Sequence, residues 1–240
     1  MSTKVAIIGA TSGIGRALAL EFHKRGAVVG ATGRRIERLE ELKQELGSRT
    51  HIEYMDVTDM DAAIEQLEQL KKKMGGIDRL VLNAGVSNYQ KRVSHEGDMK
   101  IVDVNVRGFA NLASYSFAMF HRQEHGHIIG ISSVASLFGW GLSAPYNASK
   151  AFMNTYLQGY RQKANHTDAN IKVTTILPGF VKSEMTEGKN GMFWLADTDK
   201  AARQIADDIQ KEKNHSYVPR RWRLIGWIIK LTPGWVWNRM

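Results

Sequence analysis

Val5-Ala6-Ile7-Ile8-Gly9-Ala10-Thr11-Ser12-Gly13-Ile14-Gly15 stands near the start of the chain and decides how the remainder is read. Four apolar residues suit a short strand buried on both faces, and residues 16–24 have helical character. A strand running through a glycine turn into a helix N-terminus can hold a dinucleotide pyrophosphate. Glycines let the backbone approach, and the first helical turn offers unpaired N–H groups and a positive dipole end. The spacing Gly9-x-x-x-Gly13-x-Gly15 differs from the commoner G-x-G-x-x-G.

The same alternation continues. Residues 27–32 form a second expected strand ending in Gly33-Arg34-Arg35, followed by Ile36, Leu39, Leu42 and Leu46 at helical spacing. A carboxylate at this strand end would hold a ribose 2′-hydroxyl, whereas arginine accommodates a 2′-phosphate. Arg34 and Arg35 beside Gly33 therefore predict NADP(H) over NAD(H). Residues 51–55 alternate like a strand and deliver Asp56 and Val57, which can meet a ring amino group and cover a ring face; Asp56 can equally belong to the turn before the helix at 59–74. Gly75-Gly76 ends that helix. A fourth strand at 78–82 leads to Asn83-Ala84-Gly85 at its carboxyl end. Residues 99–120 read as one long helix, apolar on several faces, with Asn105 inside it; it should pack on the sheet and on another subunit. Residues 127–131 form a fifth strand ending in Ser132-Ser133. His121, His125 and His127 fit no common metal spacing, and no metal is expected.

Bulk properties bound the partners. The 240 residues suit one large α/β domain, and 43% hydrophobic with 24% charged residues is ordinary globular composition. The net charge of +9 fits nucleic acid, anionic lipid or a phosphorylated cofactor. Lys71-Lys72-Lys73 complements a helix dipole, and with basic residues spread among elements no nucleic-acid partner is expected. Zero cysteines exclude a disulfide scaffold. With no apolar run of signal-peptide length after Met1, a cytoplasmic location is expected.

Tyr146-Asn147-Ala148-Ser149-Lys150 follows Pro145. If a helix begins there, residues four apart return to one face, so the Tyr146 phenol and Lys150 ammonium converge. The ammonium should then lower the phenol pKa towards a value useful in acid catalysis.

Gly9-x-x-x-Gly13-x-Gly15, Asn83-Ala84-Gly85, Asn105, Ser133, Tyr146-x-x-x-Lys150 and Pro178-Gly179 together resemble the short-chain dehydrogenase/reductase family in order and spacing, from Val5 to about Val218. The resemblance implies a doubly wound parallel (Rossmann) sheet of about seven strands, the last two at 171–177 and 216–218. It implies that Tyr146 is the general acid in carbonyl reduction and that Ser133, 13 positions before it, binds the substrate oxygen. Lys150 would hold the nicotinamide ribose and lower the tyrosine pKa, and Asn105 would position a water. Cofactor contacts would come from Gly9, Thr11, Ser12, Gly13, Ile14, Gly15, Arg34, Arg35, Asp56, Val57, Asn83, Ala84, Gly85, Tyr146, Lys150, Pro178, Gly179, Val181 and Ser183. A homodimer or homotetramer is implied, and a non-catalytic NADP(H)-binding scaffold or redox sensor is the alternative.

Met185, Met192, Phe193, Trp194 and Leu195, with Phe138 and Trp140, either line a pocket for a hydrophobic ketone or secondary alcohol or only pack. Residues 1–219 form the expected catalytic and cofactor domain. Residues 220–240 read as a basic, tryptophan-rich extension holding four of the six tryptophans and no acid. Its apolar arc suits anionic lipid or a partner subunit; peripheral membrane contact is the expectation adopted.

Overall fold

The alternation of β1 (Lys4–Ile8) sets the layers: Val5 and Ile7 enter one hydrophobic core and Ala6 and Ile8 another, on opposite faces of the sheet. The computed structural model describes all residues except Met1, residues 88–92, Ser183, Met185, residues 187–193, Asn238 and Met240, and the side chain of Lys230. Seven parallel strands run in the order β3-β2-β1-β4-β5-β6-β7, the Rossmann arrangement: β2 (Val28–Gly33), β3 (Thr50–Tyr54), β4 (Arg79–Leu82), β5 (His125–Ile131), β6 (Asn170–Pro178) and β7 (His215–Val218) join β1.

Helices cover both faces. α1 (Gly13–Lys24), α2 (Ile36–Leu46) and α7 (Thr198–Gln210) bury Leu18, Leu39 and Ile205 on one side. α3 (Met60–Met74), α5 (Phe109–Gln123) and α6 (Ala144–Ala164) bury Leu67, Phe117 and Leu157 on the other. α7 has no counterpart among the expected elements, although Ala201, Ala202, Ile205, Ala206 and Ile209 recur at helical spacing and are all buried. Asp59 caps α3 through Ala62 N–H, while Asp56 accepts from the Thr58 amide and hydroxyl in the preceding turn.

The expected helix at 99–120 starts earlier and changes pitch. α4 (His95–Val102), capped by the Ser94 hydroxyl, passes through a π-helical turn at Asp103–Gly108 into α5. Asn105 lies on that wide turn, a feature enriched at functional sites. At its end a Cβ on Gly108 would lie 2.6 Å from the Val57 carbonyl oxygen, so glycine permits the close approach.

His127, on β5, is buried with its Nε2 2.7 Å from the Thr174 hydroxyl. Burial, aided by nearby Arg79 and Lys172, holds its pKa down at about 3. The unfolded ring, near 6.5, then binds more protons than the native one as pH falls below that value, so stability is lost on acidification. His127→Gln removes the titration. Between pH 7 and 5, urea unfolding is expected to show about 2 kcal/mol more loss for the wild type than for the variant; parallel losses would refute a buried neutral ring.

Candidate active site

The chain runs outward from β1 to β3 and returns to β4 beside β1, so the loops after β1 and β4 diverge over a crevice at the carboxyl edge. There Gly9 adopts φ +88°, and a Cβ on it would lie 2.8 Å from the Ala84 backbone. Asn83 Nδ2 donates to the Gly9 carbonyl at 2.6 Å, and a Cβ on Gly15 would meet that same carbonyl at 2.0 Å. Asn83, Ala84, Gly9 and Gly15 therefore lock two loops together around the start of α1. Gly13, at φ +54°, opens the helix, while Ile14 leans on the core and leaves the backbone as the ligand-facing group.

Beside this turn lies a basic cluster. Arg35 donates to the hydroxyls of Thr11 (Nη2 at 2.9 Å) and Ser12 (2.8 Å), and the space beside Gly33 is filled by the Thr11 methyl. Arg34 turns instead towards Asp56, with a nitrogen 3.7 Å from the carboxylate. Burial alone would raise the Asp56 pKa, but the Thr58 hydrogen bonds and Arg34 outweigh it and hold the carboxyl below the usual range. Glu184 ion-pairs with Arg35 at 2.9 Å and also with Arg38, and hydrogen bonds from these two arginines hold its carboxyl at about 2. Neither Glu184 nor Arg38 was anticipated; Arg38 shares the face of Arg35 one turn along α2, a spacing visible in the sequence. Val57 is tucked beneath Gly108. Ser183 lies outside the described residues.

A second group converges from β5, α6 and the π turn. Ser132 is buried and donates to the Lys150 carbonyl at 3.0 Å, which binds β5 to α6. Ser133, the next residue, turns to Tyr146; its Oγ accepts from Ala135 N–H at 3.1 Å and donates to the Pro178 carbonyl at 3.4 Å. Lys150 Nζ donates to the Ile131 carbonyl at 2.8 Å and lies 5.8 Å from the centroid of the Tyr146 ring. Burial pushes the Tyr146 phenol up, with hydrogen bonding by Ser133 pulling part of the way back, and the same burial lowers Lys150 to about 8. The expected lowering of the phenol by the ammonium is thus replaced by desolvation, which disfavours both charged forms.

Asn105 is fully buried. Its Oδ1 accepts from Val86 N–H at 2.8 Å, and its Nδ2 donates to the Val86 carbonyl at 2.8 Å and to Ser149 Oγ at 3.0 Å. A Cβ on Gly85 would lie 3.3 Å from Asn105 Oδ1 and 3.4 Å from Lys150 Nζ, so the amide and ammonium both border the bare face of that glycine.

An aromatic cluster lies beyond Pro178, whose carbonyl faces Ser133. Trp222, from α8 (Trp222–Leu231), occupies the space a Cβ on Gly179 would fill, with its ring 2.1 Å from that position, and meets Phe180 and Trp194 edge-on at 5.5 and 6.0 Å. Phe138 stacks on Trp237 of α9 (Gly234–Trp237) at 5.0 Å. The loop and tail, separate in sequence, share one cluster. Val181 is buried and bridges Ala196, while Met185, Met192 and Phe193 lie outside the described residues.

The chain is similar to known proteins along most of its length. The family model described as short chain dehydrogenase matches residues 3–192. An uncharacterized oxidoreductase of Myxococcus xanthus is 39% identical over 196 residues, covering 79% of this chain and 77% of that protein. A serine 3-dehydrogenase of Agrobacterium fabrum is 35% identical over 194 residues, covering 80% and 77%. The closed form of a serine dehydrogenase complexed with NADP+ superposes with a TM-score of 0.80 at 27% identity, covering 90% of this chain and 94% of that one.

Truncating Asn105 to Ala removes the partner of the Val86 N–H and carbonyl in a partly buried loop. A stability loss of about 2–3 kcal/mol is expected in urea unfolding; a loss below about 0.5 kcal/mol would mean that Val86 finds other partners.

Proposed function

We propose, for a chain that belongs to the short-chain dehydrogenase/reductase family, that it interconverts a hydrophobic ketone and its secondary alcohol with NADP(H), using Ser133, Tyr146 and Lys150. Family membership makes it an oxidoreductase acting on a CH–OH or C=O group. The observation that carries the finer reading is the convergence of Tyr146 with Ser133 and Lys150 beside the glycine-locked crevice.

Burial keeps the Tyr146 phenol protonated at neutral pH, the state a general acid needs. Tyr146 gives its proton to the carbonyl oxygen while Ser133 donates a second hydrogen bond to the developing charge. The Lys150 ammonium over the tyrosine ring then favours the phenolate left behind, and its protons also suit the ribose hydroxyls. Asn105 holds the Val86 and Ser149 backbone and side chain around that ammonium rather than binding substrate. The bound nicotinamide dinucleotide supplies or accepts the hydride.

The crevice fits the dinucleotide in two ways. The close packing at Gly9 and Gly15, which leaves no room for a Cβ, and the positive φ of Gly13 set the tight turn that delivers the chain to the α1 N-terminus. Arg35, positioned by Thr11 and Ser12 and joined by Arg38, already holds one anion, the Glu184 carboxylate, which marks a donor set suited to a 2′-phosphate. The relative solved with NADP+ supports the same preference. Phe138, Trp140 and Leu195, apolar and partly or largely exposed, support an apolar substrate, and the half-buried Phe152, Tyr156 and Tyr160 on α6, beside a groove of about 410 Å³, support packing of a second copy.

A panel of ketones, alcohols and small hydroxy acids, followed by NADPH and NADH absorbance, tests this. Turnover of hydrophobic ketones with NADPH is expected, with Tyr146→Phe lowering kcat by about 10³-fold or more while NADPH still binds. Full activity in Tyr146→Phe would end the mechanism. Better kcat/KM for hydroxy acids would end the substrate assignment, and cofactor binding with no turnover would favour the scaffold or redox sensor. Arg35→Ala is expected to weaken NADPH about tenfold or more with NADH little changed; equal wild-type affinity for both cofactors would end the NADP(H) preference.

Light scattering checks assembly. Gly159 borders the α6 groove with open space around it, so Gly159→Arg is expected to fold and to lower the oligomer mass. A monomeric wild type would end the oligomer reading.

A further inference from the structure

α8 carries two apolar stripes, and its folding needs only one. Trp222, Ile225, Gly226 and Ile229 recur at 3- and 4-residue spacing on the inner face. Trp222 is buried, Ile225 packs with Val134 and Leu177, and a Cβ on Gly226 would lie 2.8 Å from the Tyr217 ring. That face seats the helix on the protein. Leu224, Trp227, Ile228 and Leu231 form a second stripe with the same spacing on the outer face, and each is more than half exposed. Trp235, beyond the helix end, is equally exposed. An apolar stripe surplus to the fold marks a contact surface.

The charges around it select the partner. Arg220, Arg221, Arg223 and Arg239 are exposed, and no aspartate or glutamate occurs after Glu212. The Arg223 guanidinium lies 5.5 Å from the Trp227 ring centroid, and that of Arg239 lies 5.5 Å from Trp235. Guanidinium groups beside tryptophans suit the layer where acyl chains meet headgroup phosphates. A two-fold contact through this stripe would bring the same arginines of two copies together with no carboxylate in the segment to answer them. α8 has ten residues, and among the described residues no helix is long and apolar enough to cross a membrane, so contact must lie in the interface plane.

We propose that the outer face of α8, extended by Trp235, docks on an anionic lipid membrane. The leucine, isoleucine and tryptophan side chains enter the acyl boundary and the arginines take the lipid phosphates. Because the inner face of the same helix rests on Leu137 and, through Trp222, on Gly179, docking brings the Trp222–Phe180 cluster, next to the Pro178 carbonyl that faces Ser133, close to the bilayer. A carbonyl substrate dissolved in lipid then reaches the site without crossing water.

The test uses full-length protein and vesicles of phosphatidylcholine alone or mixed with phosphatidylglycerol. Wild-type protein is expected to float with the anionic vesicles at low salt. Recovery should fall about tenfold or more with phosphatidylcholine alone, at high salt, in a Leu224→Ser/Ile228→Ser variant, or in an Arg223→Gln/Arg239→Gln variant. Circular dichroism melting confirms that each variant folds. Brominated acyl chains should quench wild-type tryptophan emission, a readout that needs no variant. Wild-type protein that neither floats nor is quenched overturns the proposal, as does equal flotation of the Leu224→Ser/Ile228→Ser variant. A fall in oligomer mass for that variant without vesicles also overturns it, since the stripe would then be a contact between copies.

Discussion

Burial of β1 on both faces is the constraint from which the architecture follows. With no water on either side, its backbone must be paired at both edges, by β2 and β4, and its side chains covered from both directions. Parallel neighbours require crossovers, and those crossovers supply the covering helices. The strand's carboxyl end is then the place where the chain leaves the core between two diverging loops. A glycine turn there is positioned by the sheet itself, and the Asn83 amide on the Gly9 carbonyl fixes its distance from the next loop.

Desolvation then sets the chemistry. Tyr146 and Lys150 lie on adjacent turns of α6, the former towards the more protonated state and the latter towards the less charged one. Both shifts have one cause, removal from water, and both oppose charge in the resting site. Charge transferred during reaction would be met by donors already oriented, Ser133 among them, without reorganising solvent.

Much of this was legible in the chain. The succession of strands and helices was readable because residues 5–8, 80–82 and 128–131 are short, mostly apolar runs with turn residues at their carboxyl ends, whereas the order of the strands in the sheet came with the structure. The Tyr146–Lys150 spacing translated directly into proximity, because a helix converts four residues into one turn. Four things were not legible. The π turn at Asp103–Gly108 shifts the helical phase, which is why α4 and α5 seem apolar on several faces when read at a single period. The sign of the Tyr146 shift depends on how far three separate elements exclude water. The contacts of Glu184 with Arg35 and Arg38 cross 149 and 146 positions, beyond any periodicity argument. Likewise the two stripes of α8 appear in sequence as one broad arc, and only the packing of Trp222 against Gly179 separates them.

The Ser133 hydroxyl has a further property. Its oxygen is fixed by Ala135 N–H, and its one hydrogen can turn either to the Tyr146 phenol oxygen or to the Pro178 carbonyl, at 3.4 Å and well beyond the 2.7–2.8 Å typical of hydroxyl donors. On the Pro178 side the proton is parked on a weak acceptor and is surrendered at small cost to a better one. Since Pro178 is followed by the glycine on which Trp222 rests, the tail packed there also sets where that parking place lies.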